Sequence, residues 1–260
     1  MPTEIIRQQS PEEAELLRKR EELSAVRAQL AERELELADL RSQLKSFEGR
    51  YLRQVGVLYA ELDETDAKIA ELEATLDPSA SAKRSAQEAR KRAQETHEAA
   101  HGEASEAKDF RPSADLKSLF REVAKRVHPD FAKDDADQAR RTGLMADAND
   151  AYNRGDAEAL RRILDEYDED SEKVKGEGIG GELVRIIRQI HHAKINIARI
   201  ERELATLHAS EIAELRKNAE AAEQQGRDLL AELAVSVGEQ VARAKRELEA
   251  LSEEARKSGR

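Results

Sequence analysis

The sequence predicts an all-α protein in which long coiled-coil helices flank a small helical hairpin module. Three observations carry that expectation. Charged residues make up 38% of the 260 residues and aromatics 3%, with no Trp, which leaves little bulky apolar material for a wide globular core. Ala, Glu, Leu, Lys and Arg dominate, a mixture that at a helical period signals coiled coil or long helix. Leucines recur every seven residues near the N-terminus, and isoleucines and leucines do so again past the middle of the chain.

The first segment, residues 1–77, reads as one coiled-coil helix. Ser10 followed by Pro11-Glu12-Glu13 supplies an N-cap, a proline at the first helical position and early acids. Leu16, Leu23, Leu30, Leu37, Leu44, Tyr51 and Leu58 hold a strict heptad interval, and Val26, Leu40 and Phe47 fill part of the second seam. After Tyr51 the stripe moves to Val55, Leu58, Leu62, Ile69, Leu72 and Leu76, a phase change of the kind a stutter produces. Asp77-Pro78-Ser79 ends the helix, because proline cannot continue the hydrogen-bond ladder. So long an amphipathic helix needs a partner for its stripe.

Residues 78–109 are Ala-rich and charged without large apolar side chains, and read as a solvated helical spacer with little packing of its own. Residues 110–168 form the compact module. Leu116, Leu119, Phe120, Val123, Ala124 and Val127 line one face of a helix that ends at His128-Pro129. Lys117, Arg121 and Lys125 line the opposite face, with Arg126 beside them. A second helix, about Asp134 to Asn153, buries Leu144, Ala148, Ala151 and Tyr152. Gly155 suits its C-cap, and Asp156 suits the N-cap of a short helix burying Leu160, Ile163 and Leu164. Residues 169–181, with Gly176, Gly178, Gly180 and Gly181, read as a flexible linker.

The last segment, residues 182–255, is again coiled coil. Leu183, Ile190, Ile197 and Leu204 take one seam position and Ile186, Ala193, Ile200 and Leu207 the other. The phase breaks near His208-Ala209-Ser210, and a looser stripe of Leu230, Leu233, Val237, Val241, Ala244, Leu248 and Leu251 follows. The two flanks have similar lengths, roughly 100 to 110 Å if straight. That equality predicts an antiparallel pairing, within one chain or across a homodimer, with the module at the distal end.

The central module resembles the J-domain family, the co-chaperones of DnaK-class ATPases. The resemblance runs through the stretch SADLKSLFREVAKRVHPD and, more loosely, through LMADANDAYNRGD, about a fifth of the chain. It implies that His128, Pro129 and Asp130 dock on the chaperone's nucleotide-binding domain and trigger ATP hydrolysis there, with Lys117, Arg121, Lys125 and Arg126 as the basic docking face. It leaves Phe110 as the candidate for the packing role of the family's aromatic first helix, which is not recognisable upstream. Against this stands the plainer reading of His128 as a helix C-cap in an ordinary loop. On the resemblance the chain is a specialised co-chaperone whose coiled coils hold an unknown client. The alternative is a coiled-coil scaffold whose J-like module is only a docking domain.

Other chemistry is disfavoured. The formal net charge of −11 opposes non-specific nucleic-acid binding, and the absence of cysteine excludes thiolate metal sites and disulfides. No stretch approaches a membrane span, so a cytoplasmic location is expected. His97-Glu98-Ala99-Ala100-His101 matches the H-E-x-x-H zinc pattern, but Glu95 and Glu103 flank it and no third ligand follows. The Gly176–Gly181 run follows an acidic tract rather than a strand, so it reads as a hinge and not a phosphate loop. His191 and His192 read as part of an exposed polar face. The chain is therefore expected to be neither an enzyme nor a cofactor-binding protein.

Overall fold

In the computed structural model residues 10–102, 110–170 and 178–258 are described, and every regular element among them is helical. In order these are α1 (Pro11–Tyr51), α2 (Val57–Leu76), α3 (Ala80–His101), α4 (Ala114–Val127), α5 (Asp135–Arg154), α6 (Ala157–Asp170), α7 (Ile179–His208), α8 (Glu211–Gln224) and α9 (Leu229–Ser258). A π turn, Leu52–Gly56, joins α1 to α2, and a 3-10 turn, Pro129–Phe131, joins α4 to α5. None of the described helices is long and apolar enough to cross a membrane. The chain divides into two compact units, Met1–Ser42 with Phe110–His208, and Gln43–Asp109 with Ala209–Arg260.

In the first unit, α1 starts on a reciprocal cap: Glu13 N donates to Ser10 Oγ at 3.2 Å, and Ser10 N donates to Glu13 Oε2 at 2.9 Å. The seam residues Leu16, Leu23, Val26, Leu30, Leu37 and Leu40 are buried, as are Ile186, Ile190, Ala193, Ile197, Ile200 and Leu204 of α7. Ion pairs join the two helices: Arg20–Glu182 at 2.7 Å, Glu22–Lys194 at 2.7 Å, Arg33–Glu201 at 3.4 Å, and Arg41–Glu203. The partners advance together along both helices, so α1 and α7 run parallel within one chain. The antiparallel arrangement expected from equal lengths is thus corrected: pairing follows residue order, and a length argument is blind to direction.

A second stripe of α1, made of Ala31, Leu35 and Ala38, is buried in the core of the module. Its small side chains sit on Leu116, Phe120, Val123, Ala124 and Val127 of α4, Met145, Ala148, Ala151 and Tyr152 of α5, and Leu160 and Ile163 of α6. Tyr152 is the hub of the rings, 4.8 Å from Phe120 and 5.7 Å edge-on from Phe110 between centroids. Phe110 therefore packs on the α4–α5 pair, and its ring also passes Gly155, which closes α5 with φ of 70°. Asp156 Oδ1 then accepts from Ala159 N at 2.9 Å and starts α6.

In the second unit, α2 and α3 form an antiparallel hairpin about Asp77-Pro78-Ser79, with Arg90 on Glu64 at 2.8 Å and Arg92 on Asp63 at 3.2 Å. Ser79 caps α3 by accepting from Ala82 N. Ala67 packs with Ala89 and Ala93, all buried, which corrects the reading of 78–109 as a solvated spacer. A stripe of alanines lacks bulk but lets two helix backbones approach closely, and pattern reading weighted to large apolar residues overlooks it. The π turn falls where the heptad phase shifts, and it buries Val55 and Gly56. Val55 joins Phe47, Ala219, Leu230, Val237 and Val241 in one cluster, while Lys245 reaches Glu61 at 2.6 Å. The C-terminal chain breaks twice, at Ser210, which caps α8, and at Gly226 with φ of 74°.

Of the stretch read as a linker, residues 171–177, including Gly176, lie outside the described residues. Gly180 and Gly181 belong to the first turn of α7, and α6 extends to Asp170.

Candidate functional site

The His128-Pro129-Asp130 loop is built by two overlapping caps. Ser113 Oγ accepts from Leu116 N at 3.1 Å and starts α4. Pro129 forbids helical continuation, so His128 leaves the α region with ψ of 134° and closes the helix. Its Nδ1 accepts from Asp130 N at 3.1 Å, making the same residue the N-cap of the following 3-10 turn. Asp134 then caps α5 by accepting from Asp137 N at 2.8 Å. The C-cap expected of the plainer reading is real, and it fixes the imidazole as well as the backbone.

Arg141 pins this loop from below. It is buried, and its guanidinium donates to the carbonyls of Arg126 at 2.9 Å and His128 at 3.4 Å, to Asp137 at 2.9 Å, and to the Tyr167 hydroxyl. Asp137 is consequently held below the usual carboxylate range: burial opposes this, but the Lys133 backbone N–H and Arg141 outweigh it.

The loop does not stand in solvent. His128 is 2% exposed, and its Nε2 lies 3.3 Å from Glu34 Oε1 on α1 and 3.4 Å from Asn196 Nδ2 on α7. The Asn196 amide donates to Asp130 Oδ2 at 3.2 Å, while its oxygen accepts from Arg199 at 2.7 Å. Gln189 Nε2 donates to the Phe131 carbonyl at 2.9 Å, and the Arg27 guanidinium lies 4.6 Å over the Phe131 ring. The expectation of an exposed docking loop is therefore corrected. The motif occupies a recess between α1 and α7, because Pro129 turns the chain toward those helices and their polar side chains satisfy it.

The basic face divides. Lys117 Nζ reaches Asp39 Oδ2 at 2.7 Å, and Arg121 Nε reaches Glu32 Oε2 at 2.6 Å, both acids on α1. Asp39 Oδ1 also accepts from the Tyr152 hydroxyl at 3.3 Å, so one carboxylate ties α4 and α5 to α1. Arg126 pairs with Glu122 on its own helix at 2.7 Å, and Lys125 is exposed. Seven sequence-chosen residues thus gather on one side of the module, and Lys117, Arg121, His128 and Asp130 are bonded to the paired helices.

Glu34, Asn196, Gln189 and Arg141 were not singled out from sequence. A signal existed for the two amides: Gln189 and Asn196 lie seven apart, each one residue before a seam isoleucine. Glu34 and Asp39 flank the Ala31, Leu35, Ala38 stripe, whose spacing of four and three marks a second buried face. His97 and His101 are exposed with rings stacked at 4.3 Å, and His101 Nδ1 donates to the His97 carbonyl at 3.0 Å. No group of three or more His, Asp or Glu among the described residues is placed to hold a metal ion. His191 and His192 are exposed on α7.

No family model, curated protein or solved structure matches this chain.

Proposed function

We propose that the chain is a specialised co-chaperone: a J-domain-like module on coiled-coil helices, which docks on a DnaK-class ATPase through His128-Pro129-Asp130 and stimulates its hydrolysis. The observation that carries the reading is the doubly capped loop at the end of a basic helix. His128 and Asp130 are fixed against each other before any partner arrives, so docking orders little that is not already ordered. Lys125 and Arg126 beside the loop supply positive charge for an acidic partner, on a chain that is acidic as a whole. The client would be held by the paired helices, where Val184, Ile187 and Ile195 leave apolar surface exposed on α7.

A second reading keeps the module as a structural brace of a coiled-coil scaffold, and the burial of His128 favours it. Single-turnover ATP hydrolysis by a DnaK-class ATPase separates the two, at chain concentrations high enough to offset a covered loop. The first reading expects stimulation that His128→Gln abolishes. Circular dichroism on the same variant is needed, because the buried imidazole accepts from Asp130 N and its replacement costs about 1–3 kcal/mol if that donor is left unpaired. Stimulation equal in both proteins, or none in either, leaves the brace.

A further inference from the structure

We infer that α1 is a built-in competitor for the docking surface: its acids hold Lys117, Arg121 and His128 where an acidic partner would, and the chain docks on release of that face. The inference rests on the docking reading above and concerns its regulation.

Three features carry it. The first is chemical equivalence. A surface that binds a lysine, an arginine and a neighbouring imidazole must offer carboxylates at matched spacing, and α1 offers Asp39, Glu32 and Glu34 to those three groups in turn. Any acidic partner that uses the same three residues must displace α1, so the two occupancies exclude each other.

The second feature is completeness of the cover. Asn196 of α7 holds Asp130, and Gln189 holds the carbonyl of Phe131, so the polar groups of the loop are satisfied from the paired helices. Lys125 alone among the seven candidate docking residues has no printed neighbour in this cover and stays exposed, which leaves a charge for first encounter.

The third is the character of the seal. On α1's side its apolar part is Ala31, Leu35 and Ala38, two of them alanines, and Arg121–Glu32 is an exposed ion pair of the kind that contributes little. The leucine seam of α1 lies on other residues, Leu23, Leu30 and Leu37, so the seam survives when the acidic face is released. An equilibrium of this type lowers apparent affinity by the fraction of open molecules, and anything that favours opening restores it.

The test alters the cover and leaves every docking residue in place. Asn196→Asp puts a carboxylate against Asp130, and Glu34→Lys puts a cation against His128; the two changes lie on different helices, which guards against one variant misfolding. Amide exchange at residues 130–132 reads the cover, and the concentration for half-maximal ATPase stimulation reads docking. Both variants should exchange at least tenfold faster in the loop and stimulate at a severalfold lower concentration. Adding His128→Gln should remove the stimulation and leave the faster exchange. Unchanged exchange in both variants, or faster exchange with the half-maximal concentration unmoved, overturns the inference while the docking reading stands. Faster exchange with stimulation absent from every protein discards the docking reading, and the competitor falls with it.

Discussion

The α4–α6 module and the α2–α3 hairpin solve the same packing problem in opposite ways. The module wedges rings and branched chains together, with Phe120, Tyr152, Leu160 and Val127 fully buried around one point. The hairpin brings two backbones together over Ala67, Ala89 and Ala93 and supplies specificity with ion pairs at its margins. One stores its stability in volume, the other in proximity. The difference teaches what each can tolerate: a filled core suffers when atoms are removed, and a close contact suffers when atoms are added.

Truncation should therefore hurt the module most. Phe120→Ala removes a fully buried ring at the centre of α4, α5 and α6, and is expected to cost about 3–5 kcal/mol. Amide exchange in α4–α6 should rise accordingly, with α2–α3 unaffected. If both regions loosen equally, the two do not unfold as separate units.

Enlargement should hurt the hairpin. Ala93→Leu forces added carbons into the contact with Ala67, at an expected cost of about 1–3 kcal/mol read as exchange in α2 and α3. A neutral or stabilising result would mean that the contact has slack, and the contrast with the module would lapse.

The smallest effect is confined to high pH. Burial raises the Tyr152 phenol above its ordinary range, and the Asp39 carboxylate adds to the shift. The folded pKa exceeds the unfolded value of about 10, so this contribution is fully present below pH 10 and is lost as pH rises beyond it. Tyr51, in the second unit, is pushed the same way by burial and by Tyr59, but it is only half-buried. Tyr152→Phe should flatten the alkaline limb of the module's stability curve and leave that of α2–α3 alone. A limb unchanged in the variant would assign the loss to other groups.

These contrasts also explain what the sequence allowed to be read. The heptad leucines, the caps at Ser10, Ser113, Asp134 and Asp156, the stop at Asp77-Pro78 and the αL glycine at 155 were all legible, because each is a local rule acting on adjacent residues. The alanine contact was not legible, since Ala67 and Ala93 look alike whether they face solvent or another backbone. The parallel direction of α1 and α7 was not legible either, because a heptad seam has no polarity. At the candidate site the loop and its basic face were legible, but its burial was not. That depended on Glu34 and Asn196, more than 60 positions away in the chain on either side, choosing the same imidazole.

The π turn at Leu52–Gly56 makes the length of this helix a quantity with forbidden values. It accommodates one residue more than a plain helix would, and a Cβ on Gly56 would already meet Leu52 at 3.0 Å. Deleting a single residue there would let an ordinary helix form, yet it would rotate all that follows by about 100°. Ala67 and Ala70 would swing away from α3, and a locally more regular chain would lose its neighbour. Drift by insertion and deletion is thus filtered at this stretch by arithmetic rather than by side-chain identity: a lone loss is punished, and a second, compensating change nearby restores the frame.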